Sequence, residues 1–183
     1  MASSSAGFVT GLTVAAVTAV GVLAYQASAS VPADLGDTRA STPPAAASKA
    51  PRDQRNPAAL PAASGTGRRV VYSLDDDRVW LVAADGKVLR TFAVTPGTVD
   101  PSPGTYRVTS RSNSVTGTDG TPIEHVVRFT GVDGVAIGFS AAVNGTTPAA
   151  DPTARTGGIR ESRPDGDAMW RFATIGEKVV VIR

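Results

Sequence analysis

From Arg68 to the C-terminus the chain is a succession of short alternating runs cut by Gly, Asp and Pro, and this pattern constrains its fold more than any other feature. Side chains on a strand point alternately to its two faces, so Val70, Tyr72 and Leu74 share one face of a first strand and Val79, Leu81 and Ala83 one face of a second. Asp85-Gly86 supplies a hairpin turn, and Val88 to Val94 returns as the next strand. Tyr106 to Thr109, His125 to Thr130, Val135 to Phe139 and Val179 to Ile182 read as further strands, whereas Ser110 to Pro122, rich in Ser, Thr and Gly, reads as loop. One short helix is expected from Asp165 or Gly166 to Ala173, opened by Pro164 and Asp165 and closed at Gly176, with Ala168 and Phe172 at helical spacing. The expected domain, residues 68–183, is mostly β and contains no internal repeat.

The two segments upstream have a different character. Residues 30–67 turn to Ala, Pro, Ser and Thr, with Pro43-Pro44, Pro51, Pro57 and Pro61 and no sustained period. Such a stretch offers too little apolar surface to offset its ordering entropy and reads as a disordered linker. Residues 1–29 contain no charged side chain, and Ala6 to Tyr25 is largely apolar. As a helix this run spans roughly 30 Å at ~1.5 Å per residue, enough for a bilayer core. Ala27-Ser28-Ala29 resembles a signal-peptidase site, although Met1 to Ser5 lacks the basic residues usual before such a segment. A cleaved signal peptide and an uncleaved membrane anchor both fit, and both place the domain outside the cytoplasm, secreted or tethered to the membrane in the cell wall.

Composition excludes more than it assigns. With Cys 0, disulfides, thiolate metal sites and cysteine nucleophiles are all ruled out. The formal net charge is +2, with basic and acidic residues interspersed, so nothing points to nucleic acid. Asp75-Asp76-Asp77 lacks the spacing of a calcium loop and reads as a solvated turn between strands, so no metal and no cofactor are expected. Trp80 and Trp170 read as packing residues rather than the lining of a sugar groove.

Taken in order, Val70-Val71-Tyr72-Ser73-Leu74, Arg78-Val79-Trp80-Leu81-Val82, Asp85-Gly86-Lys87 and Thr91-Phe92-Ala93-Val94 resemble the opening of the L,D-transpeptidase catalytic domain. Pro103-Gly104-Thr105-Tyr106 is similar to that family's T-P-x-G-x-[FY] element, and Gly157-Gly158-Ile159-Arg160 stands where the family has G-C-[IV]-R. Asp167-Ala168, Gly176 and Val179 to Ile182 follow where its helix, turn and last strand would be. The resemblance spans Arg68 to Arg183 and implies a β-sandwich-like domain. It also implies peptidoglycan remodelling, in which a tetrapeptide stem is attacked and its acyl group passed to the amine of a neighbouring stem.

Acyl transfer of that kind requires a nucleophile, a base and donors for the developing oxyanion. The family supplies them with S-H-G-C-[IV]-R and an upstream I-H-G. The corresponding stretches are Arg155-Thr156-Gly157-Gly158-Ile159-Arg160 and Phe139-Ser140-Ala141, so the cysteine position is Gly158 and the two histidine positions are Thr156 and Ser140. Glycine has no group to attack with, and loss of a positioned base alone costs about 100- to 10,000-fold. The backbone at Gly157 and Gly158 could still receive a carbonyl or carboxylate, and Arg160 could orient a carboxylate; a flexible turn without a ligand is the alternative for the glycine pair. Among replacement nucleophiles Ser140, Ser162 and Thr156 are nearest, none with a visible base, and the single histidine, His125, reads as structural. The expectation is a catalytically inactive L,D-transpeptidase-like envelope protein that binds a stem peptide or a wall protein. Two alternatives stay open, an acyl transferase with a non-cysteine nucleophile and a membrane-tethered structural module.

Overall fold

The computed structural model describes residues 55–183. The apolar segment and most of the linker therefore lie outside the described residues, within which no helix is long and apolar enough to cross a membrane. Among the described residues the strands are β1 (Arg69–Ser73), β2 (Arg78–Val82), β3 (Val88–Ala93), β4 (Gly104–Arg107), β5 (Ser110–Thr116), β6 (Pro122–Val132), β7 (Val135–Ala142), β8 (Gly158–Glu161) and β9 (Lys178–Ile182), with one α-helix, α1 (Arg163–Phe172), before β9. They form two sheets, a five-stranded one in the order β3-β2-β1-β9-β4 and a four-stranded one in the order β5-β6-β7-β8.

The core between the sheets is built from alternate residues of each strand, as the period-2 pattern predicts. Val70, Tyr72, Leu74, Val79, Leu81, Val179 and Val181 meet Val127, Phe129, Ile137, Phe139 and Ile159, and Met169 and Phe172 of α1 enter the same core. The Tyr72 ring stands edge-on to Phe139, with centroids 6.0 Å apart, and Phe139 stacks on Phe129 at 5.2 Å.

Over β1, β2 and β9 the remaining face of the first sheet is buried as well. Val71, Trp80, Val82, Val180 and Ile182 form a second cluster covered by Leu60 and Val88. Strands buried on both faces read as continuous apolar runs, which accounts for Val-Val-Tyr in β1 and Val-Val-Val-Ile in β9. The cover comes from residues whose composition reads as linker: Trp80 Nε1 donates to the Ala58 carbonyl at 2.9 Å, and a 3-10 turn follows at Ala62–Ser64. The buried Arg69 guanidinium then donates to the carbonyls of Ser64 at 2.7 Å and Gly67 at 2.6 Å. One leucine and a set of backbone acceptors suffice to hold this Ala/Pro-rich stretch on the sheet.

Two local expectations change. Residues 110–116 form β5, paired antiparallel with β6 from Ser110↔Arg128 to Thr116↔Pro122, rather than a loop. An edge strand needs only backbone partners along one side, so a Ser/Asn/Thr sequence exposed over much of its length can serve. The helix begins earlier, at Arg163, because Ser162 caps it and Pro164 sits in its first turn, and it ends at Phe172; Gly176, at φ +86°, belongs to the turn before β9.

Candidate functional site

Strand β7 sends Ile137, Phe139 and Ala141 into the core and turns Ala136, Gly138, Ser140 and Ala142 to the other face of the second sheet. Small residues there leave a groove of about 340 Å³, floored by β7 and by Gly158 and Arg160 of β8. Its walls are the β5–β6 turn around Asp119, the Thr95-Pro96-Gly97 segment after β3, and the long β7–β8 connection. The groove is open, not filled by neighbouring side chains.

The segment after β3 ties one wall down. Thr95 and Arg160 exchange both backbone hydrogen bonds, at 2.9 and 2.7 Å, and Val99 N donates to the Thr156 carbonyl at 3.0 Å. Thr156 N donates to Thr98 Oγ1 at 3.0 Å, which itself donates to the Ala154 carbonyl at 2.6 Å. A Cβ on Gly97 would lie 2.3 Å from the Thr156 carbonyl oxygen, so only glycine allows this approach. Thr156 is thus an anchor between the β7–β8 connection and the loop after β3.

The two motif glycines have unlike surroundings. A Cβ on Gly157 would fall 2.4 Å from the Ala136 carbonyl oxygen and 2.4 Å from Ile137 Cδ1, so this position excludes any side chain. At Gly158 the nearest atoms would be Arg160 Nη2 at 3.8 Å and Cζ at 4.0 Å, ordinary contact distances, and the backbone φ is not in the left-handed region. Glycine is required at 157 and merely present at 158.

Arg160 spans the groove floor. Its Nη1 donates to Ser140 Oγ at 2.9 Å and its Nη2 meets Asp119 Oδ2 at 2.8 Å, with the side chain only 11% exposed. The carboxylate expected from a ligand is in this structure supplied by the chain itself. Burial would raise the Asp119 carboxyl, but the Thr121 backbone N–H, which donates to Oδ1 at 3.1 Å, and the Arg160 guanidinium outweigh it and hold the group below the ordinary carboxylate range. A second guanidinium, Arg128, lines the same groove and donates to Ser112 Oγ at 2.9 Å.

The structure therefore brings Ser140, Thr156, Gly158 and Arg160 into one groove, with Gly157 packed into its floor behind them. Ser140 Oγ is bonded to a guanidinium, which cannot accept a proton, and Ser162 Oγ bonds Asp165 as the cap of α1. His125 lies outside the groove lining, at φ +54° in a bulge of β6, with Nδ1 3.3 Å from Asp167 Oδ1 and its ring 5.6 Å from Trp170. Trp170 carries Arg111 on its ring, 3.6 Å from the centroid, and Trp80 is fully buried, so both tryptophans are packing residues. Asp75-Asp76-Asp77 forms the β1–β2 turn, where Ser73 Oγ donates to Asp76 at 2.9 Å. For Asp119 the sequence offers no signal beyond an Asp-Gly pair in a polar stretch.

No family model matches the sequence, and no curated protein does. Solved structures do. An L,D-transpeptidase (Yku) from Stackebrandtia nassauensis superposes with a TM-score of 0.56 at 18% identity, over 71% of this chain and 63% of that one. The fold is L,D-transpeptidase-like. An L,D-transpeptidase from Xylanimonas cellulosilytica DSM 15894 gives 0.54 at 18% identity, over 69% of this chain and 66% of that one. One from Mycobacterium smegmatis gives 0.50 at 20% identity, over 65% and 60%. The chain spans a little under two thirds of each of these L,D-transpeptidase chains, and at such identities the likeness concerns architecture alone.

Proposed function

We propose that this protein is a non-catalytic L,D-transpeptidase-like component of the bacterial cell envelope, which binds peptidoglycan stem peptides, or a wall-remodelling protein presenting similar chemistry, without turning them over. The observation that carries this reading is the contrast at one place: an open groove with an oriented guanidinium, and at its centre Gly158, a position that would hold a side chain but has none. Binding needs shape and donors, which the groove has; acyl transfer needs a nucleophile paired with a base, and the Ser140 hydroxyl on the groove floor is paired instead with the Arg160 guanidinium, which cannot accept a proton. The apolar segment of residues 1–29 and the linker behind it would deliver the domain to the wall, secreted or tethered.

Co-sedimentation of the full chain with purified sacculi at several salt concentrations tests the reading. Enrichment over a charge-matched control that survives raised salt supports it, and loss of all enrichment would leave only a protein partner or a structural role. Incubation with a carbapenem followed by intact-protein mass spectrometry is expected to show no added mass. A single stoichiometric adduct would instead establish an active acyl transferase with an unconventional nucleophile.

A further inference from the structure

A guanidinium that is 11% exposed on a groove floor of Gly, Ala and Ser demands an anionic partner. Ser140, itself buried, fixes one edge of it through Nη1 but carries no charge. The charge is met from the rim. Asp119 sits in the β5–β6 turn, 37% exposed, and touches Arg160 through one oxygen, Oδ2, while its other oxygen stays with Thr121. This is a monodentate contact, weaker and less specific in geometry than the two-pronged pairing a free carboxylate can make with arginine. The turn that delivers it is small: Gly117 N donates to the Thr121 carbonyl at 2.8 Å, Gly120 N to the Gly117 carbonyl at 3.0 Å, and Gly120 takes φ +76°. None of residues 117–121 is buried.

We propose that Arg160 is the groove's carboxylate-recognition point and that Asp119 is its intramolecular competitor, so that a ligand bearing a free carboxylate binds by displacing the β5–β6 turn. The inference rests on the stem-peptide reading for the identity of the ligand, but not for the competition itself. A latch of this kind lowers apparent affinity by the fraction of time it is open, and removing its charge restores the intrinsic value. Exclusion of ligands without a carboxylate follows, because they gain nothing that offsets the broken Asp119–Arg160 pair.

The test uses the full chain, wild type and the variants Asp119→Asn and Arg160→Gln, titrated by NMR with three probes. The probes are a stem tetrapeptide, the same peptide as its C-terminal amide, and N-acetylglycine, a carboxylate with no wall chemistry. Asn keeps the Thr121 hydrogen bond and removes the charge, and melting curves confirm that each variant is folded. Asp119→Asn is expected to bind both acids roughly tenfold tighter than wild type, the factor for a latch open about a tenth of the time, with no gain for the amide. Arg160→Gln is expected to abolish the preference for acid over amide, alone or combined with Asp119→Asn. Unchanged or weaker acid binding by Asp119→Asn, an equal gain for the amide, or no binding of any acid to either protein overturns the proposal. A gain for N-acetylglycine with none for the tetrapeptide upholds the latch and sinks the stem-peptide reading. Tetrapeptide binding that ignores both substitutions does the reverse.

Discussion

Glu161 offers a quantitative test of the packing between α1 and the second sheet. It ends β8 opposite Ala141, is 1% exposed, and neither carboxyl oxygen has a hydrogen-bond partner. Its Oε2 lies 3.6 Å from where a Cβ on Gly166 would stand, beneath the first turn of the helix. Burial, and after it the negative charge of Asp165, push its carboxyl well above the usual glutamate range. A raised carboxyl binds its proton more tightly when folded, so its stabilising effect is complete below the unfolded value and is lost as pH rises toward the folded one. Glu161→Gln keeps the shape and removes the titration. Relative to that variant, wild type should lose about 1.4 kcal/mol per pH unit above the unfolded carboxyl's value, until the folded carboxyl ionises. Each pH unit over which only the unfolded carboxyl is ionised is roughly 3–6 °C in melting temperature for a domain of this size. Paired melting curves of wild type and Glu161→Gln across pH 4.5 to 7.5 measure the difference directly, with every other titrating group cancelling. A flat difference, or one in which wild type gains on the variant with rising pH, would refute the assignment of a neutral buried carboxyl.

The two motif glycines should separate cleanly in denaturant titrations. Gly157→Ala drives a methyl into the Ala136 carbonyl and is expected to cost about 1–3 kcal/mol, whereas Gly158→Ala makes only ordinary contact with Arg160 and should gain about 0.4–1 kcal/mol by restricting the unfolded chain. Equal effects at the two positions would contradict the geometry. Ser162→Ala removes the cap of α1 and should cost about 1 kcal/mol, read from the midpoint of the same titrations, with a loss near zero showing that the Pro164 turn holds the helix start unaided.

The opening strands are plain in the sequence because Val70, Tyr72, Val79 and Leu81 alternate with a period that only a sheet satisfies. Burial of Val71, Trp80 and Val180 on the second face is not, since it depends on Leu60 and the Ala58 carbonyl, in a stretch whose composition argues for disorder. Strand β5 is invisible for a related reason: an edge strand held by backbone bonds to β6 needs no apolar stripe, and Ser110–Thr116 has only Val115 to offer. At the site, ordered motif positions single out Ser140, Thr156, Gly157, Gly158 and Arg160, and the structure gathers them. What the chain order conceals is the Arg160–Asp119 pair, whose members stand 41 residues apart on elements joined only through the sheet. Likewise the difference between Gly157 and Gly158 is set by Ala136 and Ile137 across β7, not by anything adjacent in sequence.

That difference bears on what kind of site this is. If close packing alone dictated glycine along the motif, both positions would resist a side chain; only Gly157 does, held against the Ala136 carbonyl on β7. The empty space at Gly158 is continuous with a groove whose floor residues, Ala136, Gly138, Ser140 and Ala142, alternate with the core residues Ile137, Phe139 and Ala141 on the same strand. The groove's floor is thus the reverse side of a well-packed core, and the sheet holds it whatever the chemistry at its centre. Because core packing maintains that floor in any case, an open groove says nothing by itself about use. The oriented guanidinium does more, since a partly buried Arg160 is expensive to keep and is compensated here by a carboxylate placed on a small, glycine-bearing turn rather than on the rigid sheet. A merely structural arginine would be satisfied as well by an acid on a neighbouring strand, whereas a partner on an exposed rim turn is the arrangement that would let a ligand compete.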